Sequence, residues 1–350
     1  MKEGYFSKKI VQWYHESHRD LPWRNTQDAY KIWLSEIILQ QTRVAQGLPY
    51  YQKFIQQYPD VRSLARAKEQ DVLRLWQGLG YYTRARNLHK CAQEVVTKFG
   101  GKFPQTFEEL KQLSGIGDYT AAAIASFAFH QPVAVVDGNV YRVLSRVFGI
   151  EKDVATPEGR KFFFKKANEL ISTTDPATHN QAVMEFGAMH CLPQNPKCED
   201  CVFSKACVAN LNALQSVLPV KSKKLKIRKR YMHYFIIRHG GKTLMKMREE
   251  KDIWKGLYDF HLIEKKRTHK IENLLEENDP LSNYHPATDR KPVKHILSHQ
   301  HLIVKFIEID IPSEKEFIRI GKTLGLKSYS LKAVEDLPKP ILIERLLNSK

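Results

Sequence analysis

Apolar residues recur at helical spacing through most of the first two hundred positions. Residues 5 to 17 read as an amphipathic helix and are followed by a loop, His18 to Thr26, that contains Leu21-Pro22-Trp23-Arg24. Asp28 is placed to cap the next helix, DAYKIWLSEIILQQTRVAQ, whose apolar stripe is Tyr30, Trp33, Leu34, Ile37 and Ile38. Helical patterns continue to about residue 99, interrupted at Pro59-Asp60 and at Gln77 to Asn87. Phe103-Pro104 and Thr106 lead into a short helix ending at a turn around Gly115, and the Ala-rich stretch Asp118 to Phe129 predicts a buried helix. Pro132 ends it, a short β-branched run follows, and Asp137-Gly138-Asn139 opens another helix. Helices are expected near 139–148, 157–171 and 178–190, so the first half is all-α, with no internal repeat detected.

The pattern changes at Ser216. Residues 221–230, KSKKLKIRKR, hold seven Lys or Arg in ten, as a linker or a first strand able to lie along phosphates. Beyond them 231–240, 242–249, 256–264 and 302–311 alternate as strands, with helical stretches near 268–278 and 339–347. The expected organisation is an all-α domain over 1–215, a basic linker over 216–230 and an α+β domain over 231–350.

A length of 350 residues accommodates two such cores. The formal charge of +18 makes nucleic acid the expected partner, an anionic membrane surface being the alternative. No apolar run approaches the roughly 20 residues that span a bilayer, and the first twenty residues carry no signal-peptide core. The expectation is a cytoplasmic, nucleoid-associated, monomeric protein with no membrane partner.

Candidate chemistry gathers at four places. Gly115 and Gly117 flank a turn before the Asp118 helix, and turn N–H groups at a helix N-terminus form a ready phosphate site. Asp137 follows about twenty residues later at a helix start, as a catalytic carboxylate, an N-cap, or both. Glu36 falls at the edge of an apolar stripe, where desolvation raises a carboxyl pKa and makes a proton donor; a plain surface Glu is the other reading. Tyr and Arg residues within Gln77–Asn87 suit base stacking and phosphate contact, or a tyrosine-rich packed turn. Cys191, Cys198, Cys201 and Cys207 are spaced C-x6-C-x2-C-x5-C. That compact loop suits a [4Fe–4S] cluster better than zinc, which usually pairs two short-spaced units, and better than disulfides. Cys91 reads as a small buried apolar residue.

Taken together, LSGIGDYTA (Leu113 to Ala121), VDGN (Val136 to Asn139) and the cysteine spacing resemble the helix-hairpin-helix superfamily of DNA glycosylases. LPWR, SEIILQQTRV (Ser35 to Val44), Tyr119 and the additional C-terminal domain are similar to its adenine-removing, MutY-type branch. The resemblance covers essentially the whole chain. It implies a [4Fe–4S] cluster on the loop 191–207 and double-stranded DNA with A·8-oxoguanine or A·G mispairs as partner. It also implies base-excision chemistry, with Glu36 protonating adenine and activating water, Asp137 stabilising the oxocarbenium-like sugar, and Asn139 supporting the site. Tyr119 stands where the endonuclease III branch has a nucleophilic lysine, so a glycosylase that leaves the strand intact is implied. Gln41 and Tyr81 would wedge into the stack with Leu79 close by, and Gly115 and Gly117 would hold the DNA backbone. Arg19, Leu21, Trp23, Arg24 and Gln181 would line the adenine pocket, although packing in a loop would also account for them.

The C-terminal domain resembles MutT, a Nudix-like fold, but no Gly followed by REUxEE (U apolar) occurs after residue 230, so pyrophosphatase activity is not expected. Its use would be recognition. Ile296 to Leu302 matches the family loop that inspects 8-oxoguanine, with Ser298 and His299 present and Leu297 where Phe is usual. Competing readings are a thymine glycosylase acting at G·T mismatches and a non-enzymatic iron–sulfur DNA-binding module.

Overall fold

The computed structural model describes residues 3–222, 227–250 and 252–348. Its helical part comprises α1 (Glu3–Ser17), α2 (Ala29–Leu39), α3 (Val44–Gln57), α4 (Val61–Arg66), α5 (Glu69–Leu75) and α6 (Thr83–Phe99). It continues through α7 (Phe107–Leu110), α8 (Asp118–Phe129), α9 (Gly138–Phe148), α10 (Pro157–Leu170), α11 (Pro176–Met189) and α12 (Val208–Leu211). Two compact units result: Met1–Arg66 with Asn87–Lys223, and Ala67–Arg86 with Lys224–Lys350. Among the described residues no helix is long and apolar enough to cross a membrane.

In the first unit Phe6, Ile10, Trp13 and Tyr14 form one stripe of α1. They pack on Val143 and Val147 of α9, Phe163 of α10 and Phe186 of α11. Two helices lack a polar face. In α8 every residue from Thr120 to Ala128 is buried, and small side chains let α2 and α11 approach it. In α2 burial runs from Ile32 to Ile38 without a break, Glu36 included.

The helix expected from Asp28 through Gln46 is two helices. α2 ends at Leu39, Gln41 turns to φ +55°, and Arg43 caps α3. Gln40 to Arg43 are four consecutive polar residues, so the helix loses the apolar surface that burial rewards. After α8, His130 takes a left-handed C-cap (φ +54°), and the chain crosses to Asp137 as an extended segment without a strand partner. Side chains satisfy it instead. Asn180 accepts from Val135 N–H (3.0 Å) and donates to Val133 C=O and Ser126 Oγ (2.9 Å each). Asn168 accepts from Ala134 N–H (2.9 Å).

The second unit is built on a mixed sheet. Its strands are β1 (Arg228–His239), β2 (Lys242–Met247), β3 (Tyr258–Asp259), β4 (His261–Lys265), β5 (Thr288–Asp289), β6 (Val293–Ile296), β7 (Gln300–Asp310) and β8 (Lys327–Ser330). The order β3-β2-β1-β7-β5 has β1 and β7 parallel from Arg228↔Gln300 to Arg238↔Asp310. Helices α13 (Ile271–Glu276) and α14 (Glu314–Thr323) cover the face of Phe235, Ile237, Ile307 and Ile309. α15 (Leu331–Asp336) and α16 (Ile341–Asn348) follow.

The single strand expected over 256–264 is divided at Phe260, β3 pairing β2 and β4 pairing β1. α14, α15 and β8 lie outside the elements expected from the sequence. Of the basic stretch, 223–226 lies outside the described residues, and Arg228 to Arg230 open β1.

Asn180→Ala should strip the 133–135 segment of two hydrogen bonds and Ser126 of a third. It should lower the free energy of urea unfolding by about 3 kcal/mol, the scale for orphaned buried backbone groups.

Candidate active site

One cavity of about 610 Å³ opens in the first unit. Glu36 from α2, Tyr119 from α8, Asp137 and Asn139 at the head of α9, and Arg19, Leu21, Trp23, Arg24 and Gln181 all line it. Residues from five separate stretches of sequence therefore meet in one wall.

Glu36 is 8% exposed and is hydrogen-bonded by the Tyr119 hydroxyl. Burial pushes its carboxyl up to about 7, helped by the negative Asp137 and opposed by Tyr119 and Arg24. Tyr119 is held well above the usual phenol range by burial and by the two carboxylates, so it stays a donor. Asp137 is the N-cap of α9. Its carboxylate accepts from Asn139 N–H, Val140 N–H and Asn139 Nδ2, each at 2.8 Å. Burial pushes Asp137 up as well, while these donors and Arg142 oppose it. With three N–H donors against one hydroxyl, Asp137 is the carboxyl that ionises first and Glu36 the one that keeps a proton near neutrality.

Several wall residues lie outside the sequence expectation. Glu185 of α11, 1% exposed, accepts from Arg19 N–H (3.0 Å), Arg19 Nε (2.7 Å) and Nη2 (2.6 Å), and Arg24 Nη2 (2.7 Å). Burial would raise its carboxyl, but the two guanidiniums more than offset this and hold it at about 2. Tyr14 donates to Gln181 Oε1 (2.6 Å), fixing that amide from behind. Arg142 donates to Asn139 Oδ1 (2.9 Å), Gly187 C=O (2.6 Å) and Cys191 C=O (2.7 Å), so one guanidinium joins the head of α9 to the first cysteine. A Cβ on Gly187 would stand 2.6 Å from that of Asn139, so only glycine lets α11 pass there. The signal for Glu185 was a lone charge inside a largely uncharged helical run, and for Arg142 one of two arginines a turn apart in an apolar one.

The four cysteines line a separate small pocket and form no disulfide. Arg146 braces their loop, donating to the carbonyls of Leu192 (2.6 Å), Pro193 (3.0 Å), Gln215 (2.6 Å) and Leu218 (3.1 Å), and facing Cys191 Sγ at 3.5 Å. Phe203 N–H points at Cys201 Sγ (3.4 Å). Burial pushes Cys201 up to about 11, and the other three sulfurs add to it. Four mutually sensed thiols ringed by N–H donors are a donor set for thiolate-held metal. Among the described residues no group of three or more His, Cys, Asp or Glu is arranged to hold a single metal ion.

The hairpin glycines differ in kind. Gly115 has φ +78°, and a Cβ there would lie 2.7 Å from Asn87 Cβ; Gly117 is extended and open, which leaves its backbone approachable. Ser114 N–H and Oγ bond Glu94 (2.7 and 2.8 Å) and tie the turn to α6. Gln41 is exposed at the α2–α3 break.

The second unit holds the remaining expected contacts. Tyr81 is 40% exposed with φ +50°, and its hydroxyl is hydrogen-bonded to Ser298 Oγ on the β6–β7 turn. Arg84 stacks its guanidinium against the Tyr81 and Trp76 rings (5.6 and 5.1 Å). His299 is exposed beside Ser298, whereas Leu79 is 6% exposed and so faces the interior of this unit.

Residues 34–170 match the HhH-GPD superfamily of base excision DNA repair proteins, and residues 233–349 match the NUDIX domain. An adenine DNA glycosylase of Buchnera aphidicola subsp. Acyrthosiphon pisum is 33% identical over 351 residues, covering 100% of this chain and 98% of its own. The chain belongs to the adenine DNA glycosylase family. The Mus musculus member is 44% identical over 213 residues, covering 58% of this chain and 41% of the mouse protein. Among solved structures, a thermostable thymine-DNA glycosylase is 29% identical with a TM-score of 0.55, over 60% of this chain and 97% of its own. A non-covalent endonuclease III–DNA complex has a TM-score of 0.53 at 20% identity, over 61% and 99%, and shares the fold. The fold class expected from the sequence is thus the observed one: a helical HhH-GPD domain followed by a Nudix domain.

A carboxyl raised in the folded state binds a proton that the unfolded chain has already lost, so stability falls as pH rises from about 4.5 to about 7. Glu36→Gln in this family member should therefore melt higher than the native protein at pH 8, by up to roughly 3 kcal/mol, with the gap closing below pH 4.5. Melting curves at the two pH values check it.

Proposed function

We propose that the protein is a monofunctional DNA glycosylase that hydrolyses the N-glycosidic bond of adenine paired with 8-oxoguanine or guanine, acting as a monomer on cytoplasmic DNA. The observation that carries this is a single cavity holding a proton-bearing Glu36, an N–H-bound Asp137 and a Tyr119 in place of an amine. Adenine leaves only as a protonated base, and Glu36 at about 7 is tuned to give a proton at neutral pH. As the bond to C1′ breaks, positive charge develops on the sugar, and the Asp137 carboxylate stabilises it. Glu36, now ionised, takes a proton from the water that adds to C1′ and is restored. Tyr119 donates to Glu36 and, having no amine, forms no Schiff base, so the strand stays intact.

The base reaches the cavity by flipping out of the duplex. Gln41 and Tyr81 are read as the side chains that fill the gap, and Gly115 and Gly117 as the backbone anchor. Leu79, being buried, supports Tyr81 rather than entering the stack. Ser298, whose hydroxyl can donate and accept, reads the N7–H and O8 of 8-oxoguanine with His299 beside it, and Leu297 contributes no aromatic contact. Cys191, Cys198, Cys201 and Cys207 would hold a [4Fe–4S] cluster, which would staple the loop that Arg146 and Arg142 join to α9.

Duplexes containing A·8-oxoguanine, A·G or T·G, incubated with the protein and then cleaved with alkali, test the reading. Product from the first two is expected, reduced to background in Glu36→Gln and Asp137→Asn proteins that still bind DNA. Product from T·G alone would establish the thymine reading, and unchanged function in both variants the non-enzymatic one.

Cys198→Ser should weaken DNA binding or folding while leaving Glu36 and Asp137 in place. Filter binding of a mismatched duplex that matched the native protein would rule out a structural role for the cysteine loop.

A further inference from the structure

The base-release chemistry leaves Glu185 without a task, although it is the most completely paired carboxylate in the cavity wall. Its oxygens receive four N–H bonds, three from Arg19 and one from Arg24, and it is 1% exposed. Arg24 is 12% exposed and also donates to Arg19 C=O (2.8 Å). Two guanidiniums in a wall that must deliver a proton to a neutral base are unfavourable on their face. They oppose the cation that protonated adenine becomes, and they favour the ionised form of any nearby acid.

We propose that Glu185 is a positioning residue for base release: pairing with Arg19 and Arg24, it fixes both guanidiniums in the wall and cancels enough of their charge for Glu36 to remain a proton donor. The proposal rests on the glycosylase reading above. The charge count of the wall supports it. Arg19 and Arg24 are balanced by Glu185 and Asp137, so apart from Arg43 at the rim the wall is neutral when Glu36 carries its proton. The other titratable groups facing this cluster do not disturb the balance. Tyr14 of α1 is raised by burial and stays neutral, Tyr119 stays protonated, and Arg43 is exposed at the rim, where solvent screens it. Arg24 already acts on Glu36 to favour ionisation, so its field is felt at the acid and its partner's charge matters there.

The test is the pH profile of single-turnover adenine release from an A·8-oxoguanine duplex at saturating protein. In Glu185→Gln the alkaline limb should move to lower pH by about one unit, roughly tenfold in rate on the alkaline side. In Arg24→Gln it should move to higher pH. That variant retains the three Arg19–Glu185 bonds and so keeps the fold if Glu185→Gln does not. Glu185→Asp, which preserves the charge, should keep the native limb. Opposite shifts in the two Gln variants support the proposal, and so does the Arg24→Gln shift alone where Glu185→Gln fails to fold. A limb unmoved in Arg24→Gln, or in a folded Glu185→Gln, overturns it and leaves a packing role. Absence of adenine release by the native protein is the separate failure of the glycosylase reading.

Discussion

A carboxylic acid carried into a helix with no polar face resists ionisation, and the first unit is arranged around that resistance. α2 buries seven consecutive residues, Ile32 to Ile38, with Glu36 among them. Nothing on α2 itself relieves the acid. Its partners come from elsewhere: a hydroxyl from α8 and a competing carboxylate from the head of α9. Asp137 is raised by burial as well, but a helix N-terminus and Asn139 supply three donors that oppose the rise. Two carboxyls in one cavity thus face different balances of burial and donors from their surroundings alone.

The geometry behind them is correspondingly over-determined. The 133–135 segment that delivers Asp137 runs through the interior without a strand partner, so Asn180 and Asn168 have to stand in for a neighbouring strand. Arg142 and Arg146, one turn apart on α9, grip three carbonyl groups of the cysteine loop and those of Gln215 and Leu218 beyond it, with Arg142 reaching Asn139 as well. The head of α9, which carries Asp137, is therefore bonded both to the α11 side of the cavity and to the cysteine loop.

Much of this could be read from the chain. The glycine turn, the Ala-rich helix, Asp137 at a helix start and the period-2 strands of the C-terminal third are local patterns, and local patterns survive without knowledge of packing. Glu36 was visible only as the edge of a stripe. Its full burial depends on Ile32 and Ser35 also being covered, which requires knowing that helices pack on both sides. The α2–α3 break has no Gly or Pro to announce it, because loss of burial rather than a breaker residue ends the helix. Glu185 was silent for a related reason: a buried acid means nothing until its two arginines, more than 160 positions away, are seen beside it.

Gln41 and Tyr81 share an unusual backbone state, each a non-glycine residue with positive φ. Such a conformation costs roughly 1 kcal/mol or more and is held by the surrounding fold. The strain is present before any duplex arrives, so each side chain stands out from its own unit already committed to a direction. In the wedge role proposed for them, side chains ordered in advance would lose little conformational freedom on entering a base stack, which would favour rapid interrogation of many undamaged base pairs over tight residence at any one of them. Glycine at either position would relax the backbone and at the same time remove the proposed wedge, so under that proposal local stability and the ability to question DNA are set against each other at single residues.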